Sequence, residues 1–322
     1  MENSSHPPFA APRPVNTVLG QKSHETLGIT DAHNHVWIGA TPGADAAAPV
    51  LDQFDLIRNE LLSYRAAGGG TLLDCQPGGC GRDINQLIRL SKESGVNIIA
   101  STGFHRRKYY PADYWLFGAQ TSKIADHLIA ECRVGLEEYS GNKEKPRAGF
   151  IKIALEADWK DTPQAAVEAA AAAACETGML LEIHTEKGQL AEKAVLYFTD
   201  QGVAPHQLVL CHIDKRPDYS LHAELSRFGV LLEYDTFFRP KYQPELNVWP
   251  LILTMVNAGL SDHIALATDM AEAEMYKFIA NGPGLASLPG SIQTRLDQMG
   301  IPLKSIQQML GENIARRLAG IH

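Results

Sequence analysis

The chain has 322 residues, of which 45% are hydrophobic and 20% are charged, and its formal net charge is −8. This balance is typical of a globular protein with a sizeable core and argues against fibrous and disordered classes. The negative charge offers no basic field that would release counterions from a phosphate backbone, so no nucleic-acid partner is expected. A small-molecule substrate is the favoured partner.

The chain contains no apolar run long enough to cross a bilayer, and residues 1–16 lack a basic stretch followed by an apolar one. The sequence therefore predicts a cytoplasmic protein with no membrane segment. Five scattered cysteines are typical of reduced thiols: Cys75, Cys80, Cys132, Cys175 and Cys211. Cys75 and Cys80 are close enough in sequence to share a metal, but no second pair is present, so we interpret them as inert.

Residues 1–26 are rich in Pro, Ser and Asn without periodicity and predict a short irregular N-terminal arm. From residue 27 onward, short apolar runs alternate with longer helical patterns. Eight such runs predict strands, and they begin near residues 28, 71, 97, 149, 179, 207, 229 and 263.

Between the strands lie segments with helical periodicity. The clearest cover residues 51–67, 83–94, 124–138, 162–177 and 190–201, and a final helix is predicted over residues 305–318. Near-continuous apolar strands alternating with helices indicate a parallel sheet covered on its outer face. Eight units of this kind favour closure into an α/β barrel of the (β/α)8 TIM type, a single domain over residues 27–322.

In such barrels the active site lies at the carboxyl ends of the strands, so the polar residues that close the apolar runs are the candidates for chemistry. Those candidates are His33, His35, Lys152, His184, His212 and Asp269. A single histidine at a strand end is more often a hydrogen-bonded core residue, but four at one rim favour a metal centre. His33 and His35 are two apart on an extended strand, so they leave the same face and one metal can bind both.

Lys152 is unusual because it lies between Ile151 and Ile153 on a predicted core strand. Burial would lower the pKa of its ammonium group. A neutral amine can add CO2 to become a carbamate, whose two oxygens could bridge two cations. The alternative is a lysine that reaches out to solvent or pairs with Glu182 or Glu156.

The segments DAHNH, FIKIAL, LEIHT, LCHID and ATDM occur in this order. Through them the chain resembles the phosphotriesterase family of the amidohydrolase superfamily over nearly its whole length. The resemblance implies two divalent metals, one held by His33, His35 and Asp269, the other by His184 and His212, with carboxylated Lys152 joining them. Zinc is the favoured metal, and Mn, Co or Fe would suit the same ligands.

The chemistry implied is hydrolysis. Two metals would lower the pKa of a water molecule held between them, and the resulting hydroxide would attack a carbonyl or phosphoryl centre. Asp269 would take the proton and deliver it to the leaving group. Asp269 and Lys152 are thus the predicted catalytic residues, and the absence of GxSxG and HExxH segments agrees with this.

The loops after strands 3, 6 and 7 carry many basic residues: His105, Arg106, Arg107, Lys108, Lys215, Arg216, Arg239 and Lys241. An acidic protein that gathers cations at one rim indicates an anionic substrate. We take Arg107, Lys215, Arg239 and Lys241 as candidate substrate-binding residues. Tyr234 and Asp235 on strand 7 are further candidates, for substrate hydroxyls, with barrel packing and a cap as their alternative roles.

The segments HIDKRPD, PKYQPE and NGPGL resemble the lactonase branch of the family, which opens furanose lactones of phosphorylated sugar acids. Lys241 falls where that branch places a phosphate-binding lysine, whereas Glu272 lies where an arginine is expected and would repel phosphate. We predict a lactonase acting on a sugar-acid 1,4-lactone, phosphorylated or not. The alternatives are an N-acyl amide hydrolase or phosphotriesterase on the same centre, and an inactive binding barrel.

By analogy the default assembly is a homodimer. The N-terminal arm and the loops around Trp37 and Trp115 are candidate contact surfaces.

Overall fold

A computed structural model describes residues 12–321 of the chain. Eight parallel strands, hydrogen-bonded in sequence order, form a nearly closed barrel. They are β1 Ile29–Asn34, β2 Gly69–Asp74, β3 Asn97–Gly103, β4 Phe150–Ala154, β5 Leu181–His184, β6 Leu208–Cys211, β7 Leu231–Tyr234 and β8 Ile264–Leu266. The backbone N–H of Asp269 donates to the carbonyl of His33 at 3.1 Å and links the ends of β8 and β1. The predicted barrel is confirmed.

Helices cover the outside of the barrel. They are α1 Phe54–Ala66, α2 Ile84–Ser94, α3 Thr121–Arg133, α4 Gln164–Thr177, α5 Ala191–Asp200, α6 Tyr219–Phe228, α7 Val248–Asn257, α8 Lys277–Ala280, α9 Gln293–Gln298, α10 Leu303–Gln307 and α11 Asn313–Leu318. Four of the five helices predicted between strands match to within three residues at each end. The other, α3, ends at Arg133 rather than at residue 138, because Gly135 turns the backbone with a φ of 143°.

The predicted C-terminal helix over residues 305–318 is interrupted. A π-type turn at Gln308–Glu312 separates α10 from α11 and kinks at Gly311. A Cβ atom at Gly311 would lie 2.5 Å from the carbonyl oxygen of Gly28. Close packing of this turn against the start of β1 therefore requires glycine and breaks the regular helix.

The interior of the barrel changes from apolar to polar along the strands. Phe150, Leu180, Val209 and Leu231 belong to one buried apolar cluster that also includes residues of α11. Two residues further on, at the next position on the same face, the strands carry Lys152, Glu182, Cys211 and Glu233, all fully buried. The apolar layer closes one end of the barrel, and the polar layer begins the site at the other.

The end of the N-terminal segment is ordered against the barrel. Val15–Thr17 and Gly20–Lys22 pair as an antiparallel hairpin. The N–H of Val18 donates to the carbonyl of Ile98 at 2.9 Å, and Val15 is buried in the apolar layer. Where the sequence predicted an irregular arm to residue 26, the structure has this hairpin, whose three-residue strands are too short to give a periodic pattern. Residues 1–11 of the predicted arm lie outside the described residues.

The outer surface bears on three further predictions. Within residues 12–321, no helix combines the length and the apolar composition needed to cross a bilayer. All five cysteines lie in this part of the chain and are free thiols. Trp37 is 8% exposed and Trp115 is partly exposed, and the homodimer with contacts in the loops around them stays a prediction.

Gly103, the last residue of β3, approaches the backbone of β4 closely. Its φ is 116°, and a Cβ there would lie 1.8 Å from the carbonyl oxygen of Lys152. We expect Gly103→Ala to lower the free energy of unfolding by about 3 kcal/mol, because the two strands must separate. Gly95→Ala is the matched control, since it has a φ of 72° and no atom within 4 Å of the added Cβ. Its cost should be about 1 kcal/mol, and equal losses in urea unfolding would contradict the proposed contact.

Candidate metal centre

Four histidines predicted from strand ends converge in the mouth of the barrel. The ring centroids of His33 and His212 lie 4.6 Å apart, as do those of His184 and His212, and His33 and His35 are 5.5 Å apart. Asp269 Oδ1 lies 3.8 Å from Nε2 of both His33 and His35. The three residues predicted to hold one metal are therefore brought together, and the two predicted for the other lie beside them.

The backbone at the strand ends is irregular in a way that directs these side chains inward. The pairing of β1 with β2 shifts register between Asp31 and Asn34, around His33. His212 and Asp269 adopt left-handed conformations with φ of 61° and 44°. Such conformations are costly for residues other than glycine and cluster at functional sites.

Buried acceptors orient the imidazole rings. In three histidines Nδ1 is hydrogen-bonded to such an acceptor. The pairs are His33 with Glu233 Oε2 (2.9 Å), His35 with Gln76 Oε1 (2.8 Å) and His212 with Asp235 Oδ2. A neutral ring that donates from Nδ1 leaves the lone pair of Nε2 free for a metal. Burial lowers the pKa of His35 to about 4 and holds those of His33 and His212 well below 6.5, so these rings are neutral at pH 7.

Several buried polar atoms of this region have no hydrogen-bond partner among residues 12–321. They are His184 Nε2, Glu182 Oε1, Glu233 Oε1 and Asp235 Oδ1. An unsatisfied buried atom costs about 1–3 kcal/mol, and imidazole nitrogen and carboxylate oxygen are ligands for divalent metals. Two close sets of ligand atoms share one aspartate: His33, His35 and Asp269; His212, Asp235 and Asp269. The residues therefore fit a binuclear centre.

Lys152 is fully buried below these histidines. Its Nζ lies 3.2 Å from both ring nitrogens of His33 and 3.8 Å from Glu182 Oε2. Burial opposes its charge, but Cys211, Glu182 and Glu233 raise the pKa of Lys152 above its ordinary value. The predicted lowering of this pKa is wrong, because the sequence did not reveal the acidic groups that β5 and β7 bring to it. The alternative pairing with Glu182 is present.

Two of the predicted substrate cations lie within the site and are paired there. Arg239 Nη2 donates to the carbonyl and to Oδ2 of Asp269 at 2.6 and 2.9 Å. Lys215 Nζ lies 3.9 Å from Asp269 Oδ2. Burial would raise the pKa of Asp269, but His212 and Arg239 outweigh it and hold that pKa below the ordinary value. Asp269 is therefore ionised, as its predicted role as a base requires.

Lys241 and Arg107 differ in where their charges lie. Lys241 is exposed, and its Nζ lies 5.2 Å from the centre of the Tyr242 ring. The Nζ of Lys215 lies 5.8 Å from the centre of the same ring. The two ammonium groups thus flank one ring beside the centre. The exposed Arg107 side chain instead packs over Phe117 and contacts a loop carbonyl, so the structure does not bring it to the histidines.

Arg106, in the same loop, is also occupied. It pairs with Glu156 Oε2 at 3.0 Å and with Glu186 Oε2 at 2.6 Å. His184, whose Nε2 lies 3.9 Å from Glu186 Oε2, lowers the pKa of Glu186 to about 2. Burial opposes this shift, and the charge of Arg106 adds to it. The guanidinium of Arg106 is thus neutralised by carboxylates of neighbouring loops.

Tyr234 does not reach the site. Its side chain is fully buried on the outer face of β7, and its hydroxyl lies 2.7 Å from His222 Nδ1. Side chains alternate along a strand, so the inward positions belong to Glu233 and Asp235. The predicted substrate contact of Tyr234 is wrong. Glu233 was missed, although its place as the one charged residue in the apolar run of β7 was a usable signal.

A cavity of about 270 Å³ lies beside the centre. It is lined by His35, Gln76, Cys80, His105, Tyr109, Ala271 and residues of the loop 38–50. The backbones of Ile38 and Leu51 pair at the base of that loop, with hydrogen bonds of 3.0 and 2.8 Å. A small molecule therefore has space next to the predicted metal ligands.

The family model for the Phosphotriesterase family matches residues 13–318. A "Phospho-furanose lactonase" from Mycoplasmopsis synoviae (strain 53) is 30% identical, over 95% of this chain and 91% of its own length. An "N-acetyltaurine hydrolase" from Bos taurus is 25% identical over 93% and 96%. The crystal structure of a lactonase from Listeria monocytogenes shares the fold, with a TM-score of 0.87 over 95% of this chain and 99% of that one, at 23% identity. The chain belongs to the phosphotriesterase family.

Proposed function

We propose that the protein is a binuclear metal-dependent hydrolase that opens the ring of a sugar-acid 1,4-lactone. The observation that carries this proposal is the convergence of His33, His35, His212 and Asp269 in one buried barrel mouth, where the ligand atoms lie within 4.8 Å of one another in sets that share Asp269. The similarity to a relative named as a lactonase over most of both chains favours lactones within the family.

The finer assignment of ligands is the one that the resemblance to the family implies. His33, His35 and Asp269 would hold one metal, His184 and His212 the other, and Lys152 would join both as a carbamate. When bound, the metals supply Lewis acidity and an activated water molecule. We propose zinc as the metal, because it binds nitrogen and oxygen donors, with Mn, Co and Fe as alternatives. Because Lys152 faces acidic groups when no metal is present, carbamate formation should accompany metal binding.

Asp269 is the residue that moves the proton. Arg239 and Lys215 contact it and keep it ionised, so it can accept the proton of the attacking water. It can then pass that proton to the ring oxygen as the lactone opens. No protein nucleophile is required for this reaction.

The experiment that tests the function measures proton release. Metal-loaded protein is mixed with matched 1,4-lactones of sugar acids, with and without a terminal phosphate, in the presence of a pH indicator. We expect rapid release with some members and loss of activity on chelation, restored by Zn, Mn or Co. No proton release with any lactone of the panel, with two metals bound, would contradict a lactonase.

Lys241 is the expected contact for an anionic group of the substrate. It lies with Lys215 on the Tyr242 ring, and unlike Arg239 it is not engaged with Asp269. We expect Lys241→Ala to raise KM for phosphorylated lactones roughly tenfold and to leave plain lactones unchanged, because only the former uses its charge. Lys108→Ala, in the loop after β3, is the control. An equal effect on both substrates would argue against an anion contact.

The second candidate is an N-acyl amide hydrolase, which the bovine relative favours. The same centre can attack an amide carbonyl, and the same two lysines could bind an anionic group on the amine side. Adding N-acyl amides and phosphotriesters to the panel separates these reactions. An inactive binding barrel would purify without stoichiometric metal.

A further inference from the structure

We propose that His105 is a catalytic residue that donates a hydrogen bond from Nε2 to the reacting carbonyl group of the substrate. This inference rests on the proposed hydrolysis of a carbonyl compound at the metal centre. It concerns a histidine that the sequence pattern grouped with the loop cations, and that the structure places in the mouth of the barrel.

The hydrogen bonding of His105 fixes its tautomer. The backbone N–H of Arg106 donates to His105 Nδ1 at 2.7 Å, so Nδ1 is an acceptor and carries no proton. A neutral ring must then carry its proton on Nε2. A protonated ring would carry hydrogen on both nitrogens, so a ring that accepts at Nδ1 is neutral. Among residues 12–321, the hydrogen bonds of the His105 ring involve Nδ1 alone, which leaves the Nε2–H available.

His105 uses its ring nitrogens in the opposite way to the predicted metal ligands: its Nδ1 accepts a hydrogen bond, whereas theirs donates one. His33, His35 and His212 each direct Nδ1 to a side-chain acceptor, which leaves Nε2 without a proton and able to bind a metal. His105 accepts at Nδ1 and keeps the proton at Nε2, so it is a donor and not a ligand. In the proposed two-metal site other residues supply the ligands. His105 is then free to act as a fixed hydrogen-bond donor to the substrate.

His105 is also in the right place. It is 7% exposed, and its ring centroid lies 5.9 Å from that of His35 and 5.6 Å from that of His184, one ligand from each predicted metal. It lines the cavity of about 270 Å³ together with His35. Tyr109 packs edge-on against the ring at 4.7 Å, and the hydroxyl of Tyr110 accepts from the His105 backbone N–H at 2.9 Å. The ring is therefore held rigidly.

The chemical role follows from the charge that develops. When water attacks the carbonyl carbon, the C=O double bond becomes a single bond and its oxygen becomes negative. The Nε2–H stabilises that oxygen by a hydrogen bond and keeps its own proton. The intermediate collapses by breaking the bond to the ring oxygen, which takes the proton that Asp269 received from the water. A donor already oriented needs no reorganisation at that moment, so it contributes to kcat more than to KM.

Two substitutions separate this role from a structural one. Glutamine places its amide N–H near the position of Nε2, whereas asparagine places its carbonyl near Nδ1 and can still accept from Arg106. We expect His105→Asn to lower kcat roughly 100-fold with little change in KM. His105→Gln should stay within about tenfold of the wild type. Both proteins should retain two metals per chain, measured by elemental analysis.

Each other outcome would overturn the inference in a recognisable way. Activity preserved in His105→Asn and lost in His105→Gln would show that accepting from Arg106 is what matters. Loss of metal in both variants would make His105 a ligand. Equal losses with metal retained, or no loss in either, would remove the donor role. A wild type inactive on lactones but active on amides would overturn the lactonase instead, and the same pair of variants would then test His105 on the amide.

Discussion

Lys152→Ala protein should purify with less than one metal per chain and should lose roughly 1000-fold or more in kcat/KM for the lactone that the wild type hydrolyses. The substitution removes the buried amine that would bridge two metals as a carbamate in the proposed centre. In the metal-free protein it removes the ammonium group that lies 3.8 Å from Glu182, so the buried Glu182 and Glu233 lose their compensating charge. Elemental analysis and steady-state kinetics measure the two effects separately.

Rescue distinguishes loss of the bridge from loss of the fold. A short carboxylic acid such as propionate can enter the space vacated by the side chain and present two oxygens to the metals, so it should restore part of the activity when added with Zn. Lys152→Met is the matched control, because its side chain fills the space and should block rescue. Full metal content and unchanged activity in Lys152→Ala would remove the carbamate from the proposed centre.

The fold was predictable because each strand of a parallel barrel is buried on both faces and reads as a short apolar run. The convergence of the candidate metal ligands was predictable for a related reason, since they are polar residues that end such runs. His33, Lys152, His184 and Asp269 interrupt apolar segments at the one end where barrels place their chemistry. Both inferences use only local sequence and one topological rule.

What could not be predicted depends on contacts between distant segments. The pKa of Lys152 depends on Glu182 and Glu233, which come from other strands and lie next to it only after closure of the barrel. The sequence around a basic loop residue does not show which group it pairs with. Arg106 and Arg239 were therefore counted among the cations for an anionic substrate, although each pairs with a carboxylate. Tyr234 was misplaced for a different reason, because a shift of one residue moves a side chain to the other face of the strand.

Asp269→Asn should lower kcat by roughly 100-fold to 10,000-fold, the range for loss of a group that transfers a proton. The amide cannot accept the proton of the attacking water, whereas its oxygen can still contact a metal and Arg239. Asparagine also tolerates the left-handed backbone at this position, where φ is 44°. The variant should therefore fold and keep most of its metal, so that the loss falls on the chemical step.

Asp269→Ala provides the contrast that assigns this loss to proton transfer. Alanine removes the metal ligand and the acceptor for Arg239 Nη2 together, and it places a side chain poorly suited to the left-handed region there. It should lose metal and stability as well as activity. If Asp269→Asn instead kept kcat within a few-fold of the wild type with both metals bound, another group would have to carry the proton. Glu233 and Asp235, whose Oε1 and Oδ1 atoms are buried without partners among the described residues, would then be the next groups to substitute.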